Sequence, residues 1–348
     1  MTRNPRERGK LGPTVTLAHG GGGRAMHDLI DEVFLRRFGV SGGSEDQARI
    51  PLAALATRGD RLAFSTDAYV VDPLFFPGGD IGVLAVNGTV NDLAVGGAIP
   101  LLLSCAVIIE EGLAIETLQR VAESMQRAAA AAGVAIVTGD TKVVNRGAAD
   151  KLFVTTAGIG VIPRGIEIAA HRAVPGDAVL INGFIGDHGA TILNARGDLA
   201  LEAPLQSDTQ PLHELVRSML AVCPDMHCLR DATRGGLATV LNEFALSSRV
   251  AIHIDEASLP VRDEVRGVCA ILGLDPMYFA NEGKLVAVVP GEHANAVLAA
   301  MRAHPAGAQA AIIGKVAALP AGIVTLRTRF GGERIVDMLV GEQLPRIC

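Results

Sequence analysis

The fold class is decided by the stretch Val134-Ala135-Ile136-Val137-Thr138-Gly139-Asp140-Thr141-Lys142. Its first four residues are apolar, as in a buried strand, and the next five are polar and predict a loop. An alanine-rich segment with helical periodicity, 115–132, precedes it and ends at Gly133. An apolar strand, 152–161, follows it. Helices that alternate with apolar strands indicate an α/β protein, in which ligands usually bind at loops like this one.

The same alternation extends in both directions along the chain. A strand over 61–66 delivers Asp67, and Asp80 can cap a helix over 81–95. A buried strand is predicted at 101–109. In the second half, Thr233 is a plausible cap for a further helix. That half also contains four predicted apolar strands, at 177–182, 285–289, 311–316 and 322–326.

A segment near 163–176 has the composition of a linker and divides these elements into two groups. We therefore predict a flexible lead-in over 1–14 and an N-terminal domain over 15–165. A C-terminal α/β domain over 170–328 and a mobile tail over 329–348 complete the chain. A length of 348 residues, 49% of them hydrophobic, is enough for two domains with separate cores.

Charge and cysteine usage exclude several classes of protein. The net charge of −6 argues against a general nucleic-acid surface, because no basic excess is present to neutralise phosphates. Five cysteines without regular spacing argue against a zinc site or a disulfide framework. The basic start, 1–10, has no apolar run behind it, and the most apolar stretch, 98–109, is too short to span a bilayer. We expect a cytoplasmic protein that binds neither membrane nor nucleic acid.

Asp67, Asp92 and Asp140 lie at predicted strand ends or on a helix rich in small residues, and Asp46, in Glu45-Asp46-Gln47-Ala48, is a candidate fourth member of the set. Hard oxygen ligands without histidine or cysteine suit Mg²⁺ that bridges nucleotide phosphates. Each acid alone could instead cap a helix or lie in a solvated turn. Together with Lys142 and Arg234, which can pair with phosphate oxygens, the set favours nucleotide chemistry.

Three further features bear on a site. The run Gly20–Gly23 lies before an apolar-periodic helix and can turn N–H groups toward an anion, although it does not match the P-loop pattern. Glu282, just before an apolar strand, is a candidate base or an ordinary turn carboxylate. His19 and His188 are expected to make local hydrogen bonds rather than to catalyse.

The chain ends in Gly341-Glu342-Gln343-Leu344-Pro345-Arg346-Ile347-Cys348. Pro345 disfavours a continuing helix, so an extended tail of this length could carry its terminal thiol roughly 25 Å into a neighbouring pocket. Taken alone, a terminal cysteine is also compatible with a frayed end.

From about Leu17 onward, these motifs resemble the HypE family of [NiFe]-hydrogenase maturation factors, in the aminoimidazole-ribonucleotide-synthetase-like superfamily. The terminal Pro-Arg-Ile-Cys is the most specific element of the resemblance. The other motifs that carry it are His19-Gly20-Gly21-Gly22-Gly23, Ser65-Thr66-Asp67-Ala68-Tyr69, Asn91-Asp92-Leu93-Ala94, Thr138-Gly139-Asp140-Thr141-Lys142, Asp231-Ala232-Thr233-Arg234-Gly235-Gly236 and Asn281-Glu282-Gly283-Lys284.

The resemblance implies a two-domain fold whose N-terminal domain forms a shared β-barrel across a homodimer. It implies that a HypF-type carbamoyltransferase loads a carbamoyl group onto Cys348. ATP then dehydrates the S-carboxamide to an S-cyanide, the source of an iron cyanide ligand on a HypC–HypD complex.

The expected cofactors are ATP and Mg²⁺. The resemblance implies catalytic roles for Cys348 as carrier and for Lys142 and Glu282 as a proton relay. ATP-binding roles are expected for Gly20, Gly21, Gly22, Gly23, Asp67, Asn91, Asp92, Asp140, Thr141 and Arg234. Metal-binding roles are expected for Asp46, Asp67, Asp92 and Asp140.

Two other interpretations remain open at this point. A selenophosphate synthetase or thiamin-monophosphate kinase would share the superfamily. The former keeps a reactive cysteine near its glycine-rich N-terminus, whereas the first cysteine here, Cys105, lies in an apolar strand. Neither needs a terminal cysteine. A non-catalytic ATP-sensing scaffold for metal-centre assembly is the third possibility.

Overall fold

The computed structural model describes residues 11–39, 46–197 and 204–338. The predictions for Cys348, for the end of the tail and for most of the lead-in therefore lie outside the described residues. Within them, no helix combines the length and apolar character that crossing a membrane requires.

A four-stranded sheet forms the first half of the protein. Its strands are β1 (Arg61–Tyr69), β4 (Ile99–Glu110), β5 (Ala135–Val144) and β6 (Leu152–Ile162), in the order β1-β6-β4-β5. Strands β4 and β5 are parallel, and the helix α5 (Ile115–Ala131) connects them. The two other pairs are antiparallel. Smaller elements before and within this half are α1 (Arg24–Leu29), a π-helical turn (Ile30–Leu35), α2 (Arg36–Phe38), α3 (Leu52–Ala56), β2 (Phe75–Phe76) and β3 (Gly79–Asp80).

The helix α4 (Ile81–Val95) begins where the sequence predicted, because Asp80 caps it. One carboxylate oxygen of Asp80 accepts hydrogen bonds from the N–H groups of Gly82 and Val83 at 2.7 and 3.1 Å. The hydroxyl of Ser124, on α5, donates to the same oxygen at 2.5 Å. This cap fixes the start of α4 against α5, and both helices pack on one face of the sheet.

The opposite face of the first sheet carries exposed apolar side chains. Leu62 and Phe64 on β1 are 60% and 71% exposed, and Ile108 on β4 is 41% exposed. Large side chains of this kind on an uncovered sheet face are typical of a protein interface.

Strand β5 corrects one prediction. The polar residues Thr138–Lys142 do not form a loop, because the ladder with β4 continues past them, from Ser104↔Thr138 to Glu110↔Val144. A register shift after Leu103 lets the ladder resume. Their polar side chains are tolerated within the strand because β5 lies at the edge of the sheet, next to solvent.

The second half is built on a seven-stranded sheet of order β13-β12-β9-β11-β7-β10-β8. Helices α6, α8 and α9 pack on one face, and α7 and α10 pack on the other. The strands are β7 (Ala178–Ile181), β8 (Cys228–Asp231), β9 (Ala251–Asp255), β10 (Leu285–Val289), β11 (Ala311–Ala317), β12 (Val324–Arg327) and β13 (Glu333–Ile335). The helices are α6 (Asp187–Ala195), α7 (His213–Val222), α8 (Gly236–Ser248), α9 (Asp263–Leu272) and α10 (Ala294–Ala303). The predicted linker, 163–176, contains only turns and irregular backbone.

The start of α8 corrects a second prediction. Thr233 does not cap the helix: the N-cap residue is Gly235, with φ of 74°, and no side chain caps it. The backbone is left-handed at Gly235, directly before the helix, and at Gly236, its first residue, a conformation that glycine adopts without strain. The two glycines, and not the threonine, therefore decide where the helix starts.

Candidate active site

The predicted site residues fall around two cavities. The first, of about 490 Å³, lies between the α1–α2 segment and β5. Asp46, Asp140 and Thr141 line it beside apolar side chains that include Ile30 and Phe34. A mixed apolar and polar lining of this kind is typical of a pocket for a small organic ligand.

The glycine run lies next to β5. A β-carbon added to Gly20 would come within 3.0 Å of the Val143 backbone nitrogen, so only glycine packs there without displacing its neighbour. His19 makes local hydrogen bonds, as predicted: its Nδ1 lies 2.9 Å from the Thr16 backbone nitrogen. The turn therefore sets the glycine run against the strand that carries Asp140.

Lys142 follows Asp140 by two residues on β5, and their side chains form an ion pair of 3.0 Å. Both side chains are more than half exposed. The hydrogen bond from Lys142 is the largest influence on the Asp140 carboxyl and lowers its pKa. The Asp140 carboxylate therefore stays ionised near neutral pH, and the exposed end of the Lys142 side chain is open to an incoming ligand.

The second cavity, of about 620 Å³, lies between the two sheets and collects Asp67, Asp92, Arg230 and Arg234. The hydroxyl of Ser65 donates to the Asp92 carboxylate at 2.6 Å. Burial raises the pKa of Asp92 despite this hydrogen bond, and Asp67 adds to the rise. The cleft is therefore anionic at Asp67 and Asp92 and is flanked by the guanidinium groups of Arg230 and Arg234.

Asp231 lies in the same cleft; the sequence analysis quoted it within a motif but assigned it no role in the site. Burial, together with the nearby charges of Asp92 and Asp67, raises the pKa of its carboxyl to about 7. The available signal was its position as the first residue of the motif 231–236, where it is also the last residue of β8. Asp231, the last residue of β8, thus brings a carboxyl group to the same cleft as Asp67 of β1.

The four acids predicted to bind metal do not meet within one chain. Asp67 lies in one cross-strand row with Thr156, Cys105 and Gly139, whereas Asp140 is one residue beyond that row. Their side chains therefore point to opposite faces, and β1 and β5 are at opposite edges, about 14 Å apart at roughly 4.8 Å per strand. Across the described residues, no three His, Cys, Asp or Glu side chains converge as a metal site.

Glu282 is buried, with 3% of its surface exposed, between the two halves of the protein. Its N–H donates to the Asp208 carboxylate at 3.0 Å, and its carbonyl lies 3.4 Å from the side-chain nitrogen of Asn91. Glu282 thus lies beside α4, and Lys142 lies on β5 at the far edge of the sheet. The two expected members of the proton relay are therefore separated within one chain.

Asn91 lines neither cavity. It is 1% exposed, and its amide nitrogen donates to the Gln210 carbonyl at 3.0 Å. Its amide oxygen accepts from the Leu212 N–H at 2.7 Å. In this structure Asn91 connects α4 to the 204–212 segment and to the Glu282 loop, and its expected contact with ATP stays a prediction.

Behind Glu282 lies a buried ion pair that sequence reasoning also missed. The Lys284 ammonium is 2.9 Å from the Asp208 carboxylate, and the side chains are 7% and 3% exposed. Gly283 fits between them because a β-carbon there would lie 2.0 Å from the Asp208 carbonyl oxygen. The pair holds the loop that carries Glu282 in one position.

Comparison with known proteins decides the family. The family models for AIR synthase related protein match residues 44–162 (N-terminal domain) and 174–327 (C-terminal domain). The carbamoyl dehydratase HypE of Rhodobacter capsulatus is 61% identical over 334 residues, which is 96% of this chain and 98% of that protein. This chain belongs to the HypE family. The carbamoyl dehydratase HypE of Escherichia coli K12 is 53% identical over 336 residues, or 96% and 99% of the two chains.

Solved HypE structures have the same two-domain α/β fold. A HypE in complex with ATP is 51% identical, covers 96% of this chain and all of its own, and has a TM-score of 0.91. The chain matched in a HypE–HypF complex is 46% identical over 80% of this chain and 90% of its own, with a TM-score of 0.78. The family and the two-domain fold expected from the motifs are thereby confirmed.

Proposed function

We propose that this chain is an ATP-dependent carbamoyl dehydratase that converts an S-carboxamide on Cys348 into an S-cyanide for [NiFe]-hydrogenase maturation. The observation that carries this proposal is the 61% identity, over 96% of the chain, with the carbamoyl dehydratase HypE of Rhodobacter capsulatus. The acid-lined cleft and the cavity beside the glycine run support it, because they suit a nucleotide and its phosphates.

The chemistry explains why such a site needs both a nucleotide and a proton acceptor. The oxygen of a carboxamide is a poor leaving group, and ATP supplies the phosphoryl group that makes it a good one. Forming the C≡N bond then requires that the nitrogen lose both of its protons while the oxygen leaves with the phosphate. The chain's own task is to orient the amide and to accept those protons.

Glu282 is suited to take a proton because its backbone is held in place from several sides. Asp208 accepts from its N–H, and the carbonyl of the next residue, Gly283, accepts from the side-chain amide of Asn182 at 3.1 Å. A carboxylate fixed in this way needs little rearrangement when the substrate arrives. Lys142 is the expected second member of the relay.

The cleft around Asp92 also suits Mg²⁺. Burial raises the pKa values of Asp92 and Asp231, Asp67 adds to both rises and Asp92 adds to that of Asp231, so a counter-ion would stabilise the ionised forms of these two carboxyls. Carboxylate oxygens are the ligands that Mg²⁺ prefers, and Asp67 and Asp92, which line the cleft together, would hold the ion there with further oxygens from the nucleotide phosphates. Bound Mg²⁺ would offset charge on the transferring phosphoryl group.

The active form is a homodimer in this proposal. The uncovered apolar face of the first sheet, with Leu62 and Phe64, supports a shared β-barrel between two protomers. A barrel also removes the open edges at β1 and β5. Closing two such sheets places edge strands of different protomers side by side, which offers a way for Lys142 to approach a site that holds Glu282.

The proposed partners follow from the same chemistry. A HypF-type carbamoyltransferase loads Cys348, consistent with the HypE–HypF complex among the similar structures. A HypC–HypD complex receives the cyanide. Phosphate release from ATP tests the proposal against a scaffold that only senses ATP. We expect release to require a carbamoylated Cys348, and release that is equally fast in Cys348→Ala would contradict the proposal.

A further inference from the structure

The last described segment, residues 333–338, is fastened to the core of the second domain, and we call it the tail root. Val336 is fully buried there, and its N–H donates to the Val324 carbonyl at 2.9 Å. The side-chain amide of Asn242, on α8, donates to the Val336 carbonyl at 3.0 Å. Ten residues of sequence follow the tail root and end at Cys348.

The tail root is also tied to the loop that leads into Glu282. The Tyr278 hydroxyl donates to the Asp337 carbonyl at 3.0 Å. The Arg334 guanidinium pairs with the Asp275 carboxylate, whose other oxygen accepts from the Met277 N–H at 3.0 Å. Tyr278 precedes Glu282 by four residues, so their Cα atoms lie at most about 14 Å apart.

The Glu282 end of this loop is fixed as firmly as its Tyr278 end. Phe279 and Asn281 are 1% and 0% exposed. The side chain of Asn281 accepts from the Gly186 N–H and donates to the Ala232 carbonyl, both at 2.8 Å. The loop therefore forms a rigid link between the tail root and Glu282.

We propose that the tail root is an anchor that fixes the starting point of the Cys348 arm beside Glu282. The inference rests on the proposed function, in which Cys348 carries the reacting group. Ten residues of sequence separate the tail root from Cys348, and ten residues can span at most about 33–36 Å, which exceeds the length of the chain from Tyr278 to Glu282. An arm released from Thr328 onward would have about twenty residues, and its effective concentration at Glu282 would fall about threefold.

Two surface variants and their combination test the anchor: Tyr278→Phe removes one hydroxyl, and Arg334→Gln removes one ion pair. Asn242→Ala is less suitable, because it leaves a buried carbonyl without a donor and endangers folding. Arg164→Gln is the matched control, since it removes an exposed ion pair, with Asp60, from the other domain. The first readout is the single-turnover rate at which the carbamoylated tail loses water in the presence of ATP.

The second readout is the distance distribution between spin labels on Cys348 and on Ala257→Cys, an exposed position of the second domain. The described cysteines (Cys105, Cys223, Cys228 and Cys269) are buried, so a brief thiol labelling reaches the two intended sites. We expect the double variant to lose water at least twofold more slowly and to show a broader distribution, with ATP affinity and the Arg164→Gln control unchanged.

Three results would overturn the anchor. A slower rate with an unchanged distribution would mean that the contacts act on the Glu282 loop alone. A broader distance distribution with an unchanged rate of water loss would mean that the starting point of the arm does not affect the reaction. No change in either readout would mean that the two contacts do not anchor the arm. If the wild-type tail itself never loses water, the proposed function fails, and the distance distribution still decides whether the anchor exists.

Discussion

The carboxylate of Asp208 and the ammonium of Lys284 form an ion pair of 2.9 Å in the interior, with side chains only 3% and 7% exposed. Burial opposes ionisation of Asp208, but the charge of Lys284 and the hydrogen bond from the Glu282 N–H outweigh it and lower the pKa. A buried pair of this kind costs desolvation energy and stabilises little in net terms. The structural role of the Asp208–Lys284 pair is to hold the loop that carries Glu282 in one position.

Removing one member of this pair should be more damaging than removing both. We expect Lys284→Met to lower the free energy of unfolding by about 3–5 kcal/mol, because Asp208 is left as an uncompensated buried charge. The double variant Asp208→Asn with Lys284→Met should recover a large part of the loss. Urea unfolding measures both, and equal losses in the single and double variants would contradict the assignment.

The pH dependence of the same pair has a defined sign. The folded state lowers the pKa of Asp208, so the stabilisation is complete above the usual carboxyl pKa of about 3.9 and is lost as pH falls below it. In the double variant, unfolding free energy between pH 5 and pH 2 should fall less steeply than in the wild type. Parallel curves for the two proteins would contradict this.

The carboxyl of Asp231 should make stability depend on pH in the opposite direction to that of Asp208. Its folded pKa of about 7 lies above that of an unfolded aspartate, so the folded state holds the proton more tightly. The stabilisation is complete below about pH 4 and is lost as pH rises to about 7. Asp231→Asn should therefore flatten the loss of stability between pH 4 and 7, when both proteins are compared in EDTA. Glu292→Gln, an exposed turn position, is the control and should leave the curve unchanged.

Glu282→Gln tests the proton acceptor without altering size or burial. The variant should bind ATP and accept the carbamoyl group, while the rate of water loss falls by about 10²-fold or more. Single-turnover kinetics with the loaded protein measure this rate. Dehydration at the wild-type rate would remove Glu282 from the relay.

The dimer proposal is tested on the uncovered sheet face. Phe64→Asp places a charge on a side chain that is 71% exposed, and we expect it to give a monomer in analytical ultracentrifugation. Leu319→Asp is the matched control, because Leu319 is 75% exposed but lies in the second domain. Dimers of equal stability in both variants would place the interface elsewhere.

Local signals in the sequence predicted the fold well where one residue decides the backbone. Asp80 carries its own capping chemistry, and α4 starts and ends where the pattern indicated. Thr138–Lys142 misled us because a polar stretch can continue a strand when that strand lies at a sheet edge. Strand order, and hence edge position, is set by tertiary pairing that no local pattern contains.

The site was predictable residue by residue but not as an arrangement. Asp67 and Asp140 both follow apolar residues of a strand, yet register places them on opposite faces and at opposite edges. The pairing of Asp208 with Lys284 was not predicted, because a lone charged residue in a sequence is usually solvated and the burial of each of these two depends on a partner 76 positions away. The sequence alone did not show which distant segments pack against each other, and that packing sets the arrangement of the site.

The most direct test of the central claim is mass spectrometry of the C-terminal peptide after carbamoyl loading, with and without ATP. We expect the modification to lie on Cys348, and ATP should remove one water from it in the wild type but not in Glu282→Gln. A tail that keeps its carboxamide unchanged in the presence of ATP and Mg²⁺, or a carbamoyl group carried on any other residue, would contradict the account.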